Sequence, residues 1–478
     1  MSFRVLRPSA VTLASFALLA VAHAQQEPPK PPVQPQSQAW EKLITPGLTY
    51  RMEIDLSLPR VIHALKYTPG GQSVTARAET ALERIFEPDD VNKGRATLTA
   101  TMARTGAIAG INGDFFPWTG DPIGAMVRNG ELLSTPYPNR SVFGWGAGYA
   151  AVGPLTYSGK VIFEGGELKI DGVNQEVGEN MLVLSTPAAG WVFTKSTAVH
   201  AILEADKALS PDGAFKANVR LFVPDLTKVK VEPGTMILSA TGNLMARLAK
   251  VPRGQEVTID IRMTGIDWSK AVHTIGGGPM LIKDGKLALN PALEKFSADF
   301  STTKHPRTAI GSTAKGDIWM LVLDGRQPMS RGAGLDELAR VMQRLGCTNA
   351  INLDGGGSST IAIAGLVVNR PSGGTQRAIS NSVLLFGDLA VPVENRQYVI
   401  KGVPRIDRGG QATYTIINEK GETVPNAEVI WAAQGSAWID QGGTLRGHAI
   451  GSAKVSAFIR GSMVQVDVSV TEPIKPGN

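Results

Sequence analysis

Apolar and polar positions alternate over 50–66, and a period of two predicts strands. A short helix is expected over 97–104. An apolar run at 107–111 then ends at Asn112-Gly113-Asp114-Phe115-Phe116. From about 157 to 266, short alternating runs are punctuated by turn signals such as Glu164-Gly165-Gly166 and Asp171-Gly172. They predict a β-rich insertion that shapes a cleft and carries no catalytic cluster of its own. Between Asp317 and Asp354 the pattern changes. Positions 318–323 are continuously apolar and end at Asp324-Gly325. Leu335, Leu338, Ala339 and Met342 recur at helical spacing before Gly346, and 350–353 are apolar again. Strand, helix and strand in about 30 residues predict a βαβ unit with parallel strands. Both aspartates then fall at carboxyl ends of strands, the edge where open α/β sheets bind ligands. After Gly387 short alternating strands return over 397–470, including 412–417, 429–431 and 464–470, and predict a separate β-sandwich. The expected fold class is α+β: a mixed sheet containing a βαβ unit, the β-rich insertion, and a C-terminal all-β sandwich.

Three glycine-containing loops share one grammar. Asn112-Gly113-Asp114 leads to an apolar run at 123–127 and a turn at Asn129-Gly130. Gly276-Gly277-Gly278-Pro279 leads to 280–283 and Asp284-Gly285. Asp354-Gly355-Gly356-Gly357-Ser358-Ser359 leads to 360–363 and Ala364-Gly365. Asn-Gly and Asp-Gly are strong hairpin signals, so three loop–hairpin units are expected, with loops converging on one cleft. The third loop is the richest chemically. A carboxylate stands where a strand ends, followed by glycines that admit a ligand to the backbone and hydroxyls that suit phosphate oxygens. No Gly-Lys-Ser/Thr follows, so it is not a Walker A loop.

Composition changes the picture in two places. The first residues read as an export signal over 1–24: Arg4 and Arg7, an apolar core at 11–21, then Ala22-His23-Ala24. Residues 25–39, rich in Pro and Gln, read as an extended linker. The expected location is secreted or periplasmic, and no later stretch is apolar enough for a membrane span. The formal charge of +6 is spread along the 478 residues, which gives no nucleic-acid tract. Cys347 is the single cysteine, so no intrachain disulfide forms, and its setting at a helix end suggests a small buried residue.

Asp354, Asp324, Asp114 and His305 are the candidate catalytic groups. Arg307 in His305-Pro306-Arg307-Thr308, Arg326 after Asp324-Gly325, and Arg377 before Ser380-Asn381-Ser382 are candidate phosphate clamps. Asn112, Gly277, Gly278, Gly355, Gly356, Gly357, Ser358, Ser359 and Asn381 complete the candidate binding set. No cofactor is demanded by these residues. Asp114, Asp324 and Asp354 form an oxygen-ligand set that would suit a divalent cation, calcium or magnesium, and no His/Cys cluster points to zinc.

The ordered motifs Asn112-Gly113-Asp114-Phe115-Phe116, Gly276-Gly277-Gly278-Pro279-Met280, Arg307-Thr308-Ala309-Ile310-Gly311, Leu323-Asp324-Gly325-Arg326, Asn352-Leu353-Asp354 with its glycines and serines, Asn369-Arg370-Pro371, Arg377 and Ser380-Asn381-Ser382 resemble the phosphodiester glycosidase family. Asp114 stands where many members carry a small residue. The resemblance covers about 40–387. It implies hydrolysis of a glycosyl-1-phosphate diester at the sugar, with an N-acetylglucosamine-like sugar and a carbohydrate or glycopolymer substrate of the cell envelope, exopolysaccharide included. The run 451–470 resembles bacterial immunoglobulin-like domains. The expected organisation is therefore a catalytic domain at 40–392 and an immunoglobulin-like sandwich at 393–478. Two other readings stay open: a phosphodiesterase that cuts P–O in a wall polymer, and a non-catalytic secreted glycan-binding protein.

Overall fold

The computed structural model describes residues 37–473, leaving aside 71–72, 88–93, 136, 138, 206 and 390–396. The export signal, most of the Pro/Gln-rich linker and the boundary at 392/393 lie outside the described residues. The first strand, Ser37–Thr45, begins three residues before Trp40.

The alternation at 50–66 becomes the strands Leu48–Asp55 and Arg60–Tyr67, paired antiparallel. They belong to an eight-stranded sheet that continues with Ile318–Leu323, Arg307–Thr313, Cys347–Asn352, Met280–Lys283 and Lys286–Leu287. Two five-stranded sheets pack with it. One runs Leu366–Val367, Ile361–Ile363, Ala109–Asn112, Asn381–Gly387, Val74–Thr80. The other runs Glu131–Ser134, Met126–Arg128, His273–Gly276, Ser141–Gly146, Tyr149–Pro154. Tyr50, Leu65, Ile310 and Met320 from the first, Ile111, Ile361 and Val383 from the second, and Phe143, Trp145 and Ile275 from the third share one core. All three expected hairpins form.

The α+β expectation is overturned. Among the described residues four short helices, the longest Leu335–Arg344, stand beside thirty-seven strands, and the architecture is mostly antiparallel β. The predicted βαβ unit fails for a specific reason. Arg307–Thr313 inserts between Ile318–Leu323 and Cys347–Asn352 and pairs antiparallel with both, so the helix joins no pair of neighbouring parallel strands. Periodicity along 317–354 contains no information about a strand that arrives from outside that window. The helix itself is where the spacing put it. It lays Leu335, Leu338, Ala339 and Met342 on Leu281, Ala309, Leu321 and Ala350.

The 157–266 region builds an eight-stranded sheet with its own core around Leu168, Leu182, Leu203, Val257 and Ile259. The C-terminal strands form three small sheets around Tyr414, Trp431, Val455 and Val468. Both Trp431 and Trp438 are buried. Ile430, Ala432, Trp438 and Phe458 join the central core, so this region is packed onto the strands at 37–67 rather than hung from them. Cys347 is buried, and burial pushes its thiol up to about 12. No helix among the described residues is long and apolar enough to cross a membrane.

Candidate active site

Two sheets deliver their loops to one place. Asn112, fully buried at the end of Ala109–Asn112, donates from Nδ2 to the Asp354 carbonyl at 2.7 Å. Its Oδ1 accepts from Thr308 Oγ1 at 2.8 Å and from the Thr360 amide at 3.0 Å. The Asp354 amide donates to the Gly113 carbonyl at 3.0 Å, and Asn381 Oδ1 accepts the Asp114 amide at 2.8 Å. A Cβ on Gly113 would lie 2.4 Å from Asn381 Oδ1, so this crossing requires glycine. Asn112 and Asn381 are therefore positioning residues that hold the two acidic turns together. Gly276 closes the back: a Cβ there would meet Asp114 Oδ2 at 2.3 Å. Gly277 and Gly278 serve backbone pairing, through amides given to the Ser141 and Asn352 carbonyls.

Asp354 opens into a cleft of about 710 Å³ lined by Phe115, Phe116, Pro117, Trp118 and Ile123, with Arg95, Arg140 and Arg377 as its cations. Burial pushes the Asp354 carboxyl up to about 6, against the pull of Ser358, Arg377 and the Gly355 amide. Asp114 sits behind it, buried, with Oδ1 accepting the Phe115 amide and Oδ2 the Gly124 amide, both at 2.7 Å. Burial raises its carboxyl to about 7, and the Asp354 charge adds to that rise.

The glycine loop explains why its residues lack side chains. A Cβ on Gly357 would fall 2.4 Å from Arg377 Nη2, so only glycine lets that guanidinium lie against the backbone. Arg377 Nη1 donates to Ser358 Oγ at 3.3 Å. Arg326 approaches Gly356, its Nη2 being 3.3 Å from where a Cβ would stand, and its backbone adopts φ 60°. Ser359 is buried, with its hydroxyl 3.2 Å from Thr308 Oγ1. The Gly356 and Ser358 amides are spent on the Pro306 and Gly355 carbonyls, so the loop sets the Arg377 guanidinium beside a carboxylate, a combination suited to a phosphoryl oxygen next to a reacting carbon.

Other candidates are placed elsewhere. Arg307 is 1% exposed and committed to carbonyls: Nε to Ala333 at 2.9 Å, Nη2 to Phe300 at 2.7 Å and Thr303 at 2.9 Å. It holds the short helix Ala298–Thr302 in place and lies beneath the loop. Arg307→Ala is expected to destabilise the fold by about 3 kcal/mol, because one buried and two half-buried carbonyls lose a donor; chemical denaturation checks this. His305 is half-buried beside Arg326 at 3.2 Å. Burial and the two arginines at 307 and 326 lower its pKa. Asp324 does not face the cleft. It accepts from Asn369 Nδ2 at 3.0 Å and from the Arg370 amide at 3.1 Å, and it stands 3.6 Å from His63 Nε2. A joint cation site of Asp114, Asp324 and Asp354 is not assembled by this geometry, and the described residues hold no cluster of three His, Cys, Asp or Glu.

Arg95, Arg140 and Trp118 escaped the sequence reading. Arg140 lies over Phe296 at 3.8 Å and Phe115 at 5.2 Å, and Arg95 over Trp118 at 4.3 Å. Trp118 is 73% exposed at the cleft. Its signal was the aromatic run after Asp114. An isolated arginine 26 residues from that motif carries none.

The raised carboxyls fix a stability sign. A carboxyl whose folded pKa exceeds the unfolded value of about 4 stabilises most below that value and loses its contribution as pH rises through the folded pKa. Asp354→Asn should therefore gain stability relative to the unsubstituted chain on going from pH 5 to pH 8. Urea unfolding at the two pH values measures that difference.

Residues 227–386 match the phosphodiester glycosidase family model. Asp354, Arg326 and Arg377 fall inside the match, whereas Asp114, Trp118 and Arg140 precede it. The chain is 33% identical over 138 residues to the SPbeta prophage-derived uncharacterized protein YomE of Bacillus subtilis, covering 28% of this chain and 20% of that one. It is 34% identical over 113 residues to N-acetylglucosamine-1-phosphodiester alpha-N-acetylglucosaminidase of Bos taurus, covering 21% of each. It spans about a fifth of the length of these curated relatives. Among solved structures, a hypothetical protein from Synechocystis aligns with TM-score 0.60 at 22% identity, covering 73% of this chain and 64% of that one. A putative exported protein from Burkholderia pseudomallei aligns with TM-score 0.55 at 23% identity, covering 68% and 74%. These two likenesses concern the fold alone.

Proposed function

We propose, from the premise that this chain carries a phosphodiester glycosidase domain over residues 227–386, that it hydrolyses glycosyl-1-phosphate diesters at the sugar. The observation that carries the reading is Asp354 in a cleft walled by aromatics, beside a glycine loop on which Arg377 lies flat. Cleaving C1–O expels a phosphate monoester that gains a negative charge. Its departure needs electrostatic stabilisation more than a proton. Arg377 meets that charge across the face of the Gly355–Ser358 loop, with Arg326 at the loop's edge. Asp354, ionised above about pH 6, acts at the anomeric carbon, where an oxocarbenium-like transition state forms. The anomeric configuration of the released sugar tells whether the carboxylate attacks directly or through water.

Trp118 and Phe116 offer apolar faces to a pyranose ring or its aglycone. Trp118→Ala should raise KM roughly 2- to 10-fold, the scale of an aromatic contact, with kcat little changed; initial-rate kinetics decide it. The export signal read at 1–24 supports a cell-envelope glycan or glycopolymer as substrate, and the likeness to the bovine N-acetylglucosamine-1-phosphodiester alpha-N-acetylglucosaminidase supports an N-acetylglucosamine-like sugar. The C-terminal strands complete this reading as an immunoglobulin-like sandwich seated on the enzyme.

The competing phosphodiesterase reading predicts a sugar phosphate as product, and the binding-protein reading predicts none. Free sugar is the outcome expected here from an N-acetylglucosamine-1-phosphate diester, and because P–O cleavage on the sugar side would also free the sugar, the position of the oxygen taken from water completes the distinction.

A further inference from the structure

We propose that Arg370 is a positioning residue through which the C-terminal strands hold the glycine loop carrying Asp354 in its working geometry. The inference rests on the reading of that loop as the reaction site.

Arg370 belongs to two regions at once. Its amide donates to both Asp324 carboxylate oxygens, at 3.2 and 3.1 Å, and its carbonyl accepts from Gln327 Nε2 at 2.7 Å. Its guanidinium leaves that region. Nη1 donates to the Ala437 carbonyl at 2.9 Å and meets His448 Nε2 at 2.7 Å, and Nη2 donates to the Gly435 carbonyl at 2.7 Å. Among the described residues, this guanidinium makes its hydrogen bonds to the C-terminal region, at 435, 437 and 448.

Asn369 carries the tie onward. Its side chain donates to Asp324 Oδ1 at 3.0 Å and to the Ser359 carbonyl at 3.1 Å, and accepts the Ile361 amide at 3.0 Å. Its own carbonyl accepts Gln434 Nε2 from the C-terminal side at 2.9 Å. A two-residue splint thus runs from the carbonyls at 435 and 437 to Ser359, the closing residue of the glycine loop. Asn369 and Ser359 are each 1% exposed, so water does not compete with the bonds Asn369 makes to Asp324, Ser359 and Ile361.

A mere spacer would not need this. It would meet the enzyme through a mobile linker and share no core, whereas Ile430, Ala432 and Trp438 pack with Tyr50, Met52 and Val61. Reacting groups must be held to a fraction of an ångström, and a displacement of about 1 Å from a remote change can cost roughly 100-fold in rate. Bonds fixing Ser359 from outside the cleft are positioned to set that tolerance.

The test uses the full chain with Arg370→Ala, Arg370→Lys and Gln434→Ala, each assayed well below its unfolding temperature. Gln434→Ala removes one bond of the splint from the far side and stands in if Arg370→Ala fails to fold. The expected result is a kcat lowered roughly 10- to 100-fold for Arg370→Ala with KM nearly unchanged, and a smaller loss in the same direction for Gln434→Ala. Lysine should not rescue, because it keeps the charge and loses the fork. Amide hydrogen exchange across 354–361 should quicken in parallel, a readout that needs no substrate. Variants that unfold at lower temperature yet keep kcat and exchange at 354–361 unchanged would overturn the proposal, leaving the C-terminal strands a passive support. If the unsubstituted chain releases no sugar from any sugar-1-phosphate diester, the functional reading falls and the exchange result alone decides the positioning role.

Discussion

Asp354→Asn folds like the unsubstituted chain and releases sugar at least about 100-fold more slowly, the scale of a lost acid–base or nucleophilic group. The substitution keeps size and shape, and the backbone ties of Asp354 to Gly113 and Asn112 do not involve its carboxylate. What it removes is the negative charge that the proposed mechanism places beside the anomeric carbon. The unsubstituted chain should also lose activity as pH falls below about 6, tenfold per unit, because protonation silences the same group. A circular-dichroism spectrum and unfolding midpoint secure the fold, and a sugar-release assay between pH 4 and 8 reads the chemistry. Near-normal turnover in a folded Asp354→Asn chain would remove this residue from the mechanism.

The second large effect belongs to Arg377. Arg377→Ala should lower kcat/KM by roughly 100- to 1,000-fold, the range for removing a preorganised donor from a developing anion. It rests on Gly357 and reaches Ser358, so its loss strips the loop of its planar fork while Asp354 stays in place. Arg377→Lys should recover only part of the loss, since a point charge does not supply two parallel donors. Arg307→Ala acts differently, through stability, because Arg307 donates to the Ala333, Phe300 and Thr303 carbonyls. Comparing kcat/KM per folded molecule across these variants separates a phosphate clamp from a buried strut.

Local signals were legible in the sequence and long-range pairing was not. The glycine runs, the Asn-Gly and Asp-Gly turns and the apolar strand ends mark Asp354, Asn112 and Gly357 as candidates, since each reflects a short-range demand of the backbone, whereas Arg377 is marked only by its place at a loop-to-strand junction. The helix at 335–344 was equally plain from its spacing. The βαβ unit was misread because the sheet neighbour of Ile318–Leu323 is Arg307–Thr313, an upstream strand whose register the intervening pattern does not encode. Asp324 and Arg307 looked like site residues for the same reason: each stands beside a strand end, but the direction of a side chain is set by packing. Asp324 turns to Asn369 and Arg370, and Arg307 turns to the Ala298–Thr302 helix. Arg140 joins the cleft because the strand Ser141–Gly146, which it immediately precedes, brings it over Phe115, and Trp118 lines the same cleft on the segment after Phe115-Phe116.

The central claim is cleavage at the sugar carbon, and hydrolysis of an N-acetylglucosamine-1-phosphate diester in isotope-labelled water tests it most directly. Mass spectrometry of the products locates the heavy oxygen. Label in the anomeric hydroxyl of free sugar, absent with Asp354→Asn, is the predicted result. Label in the phosphate would contradict it, placing the cut at phosphorus.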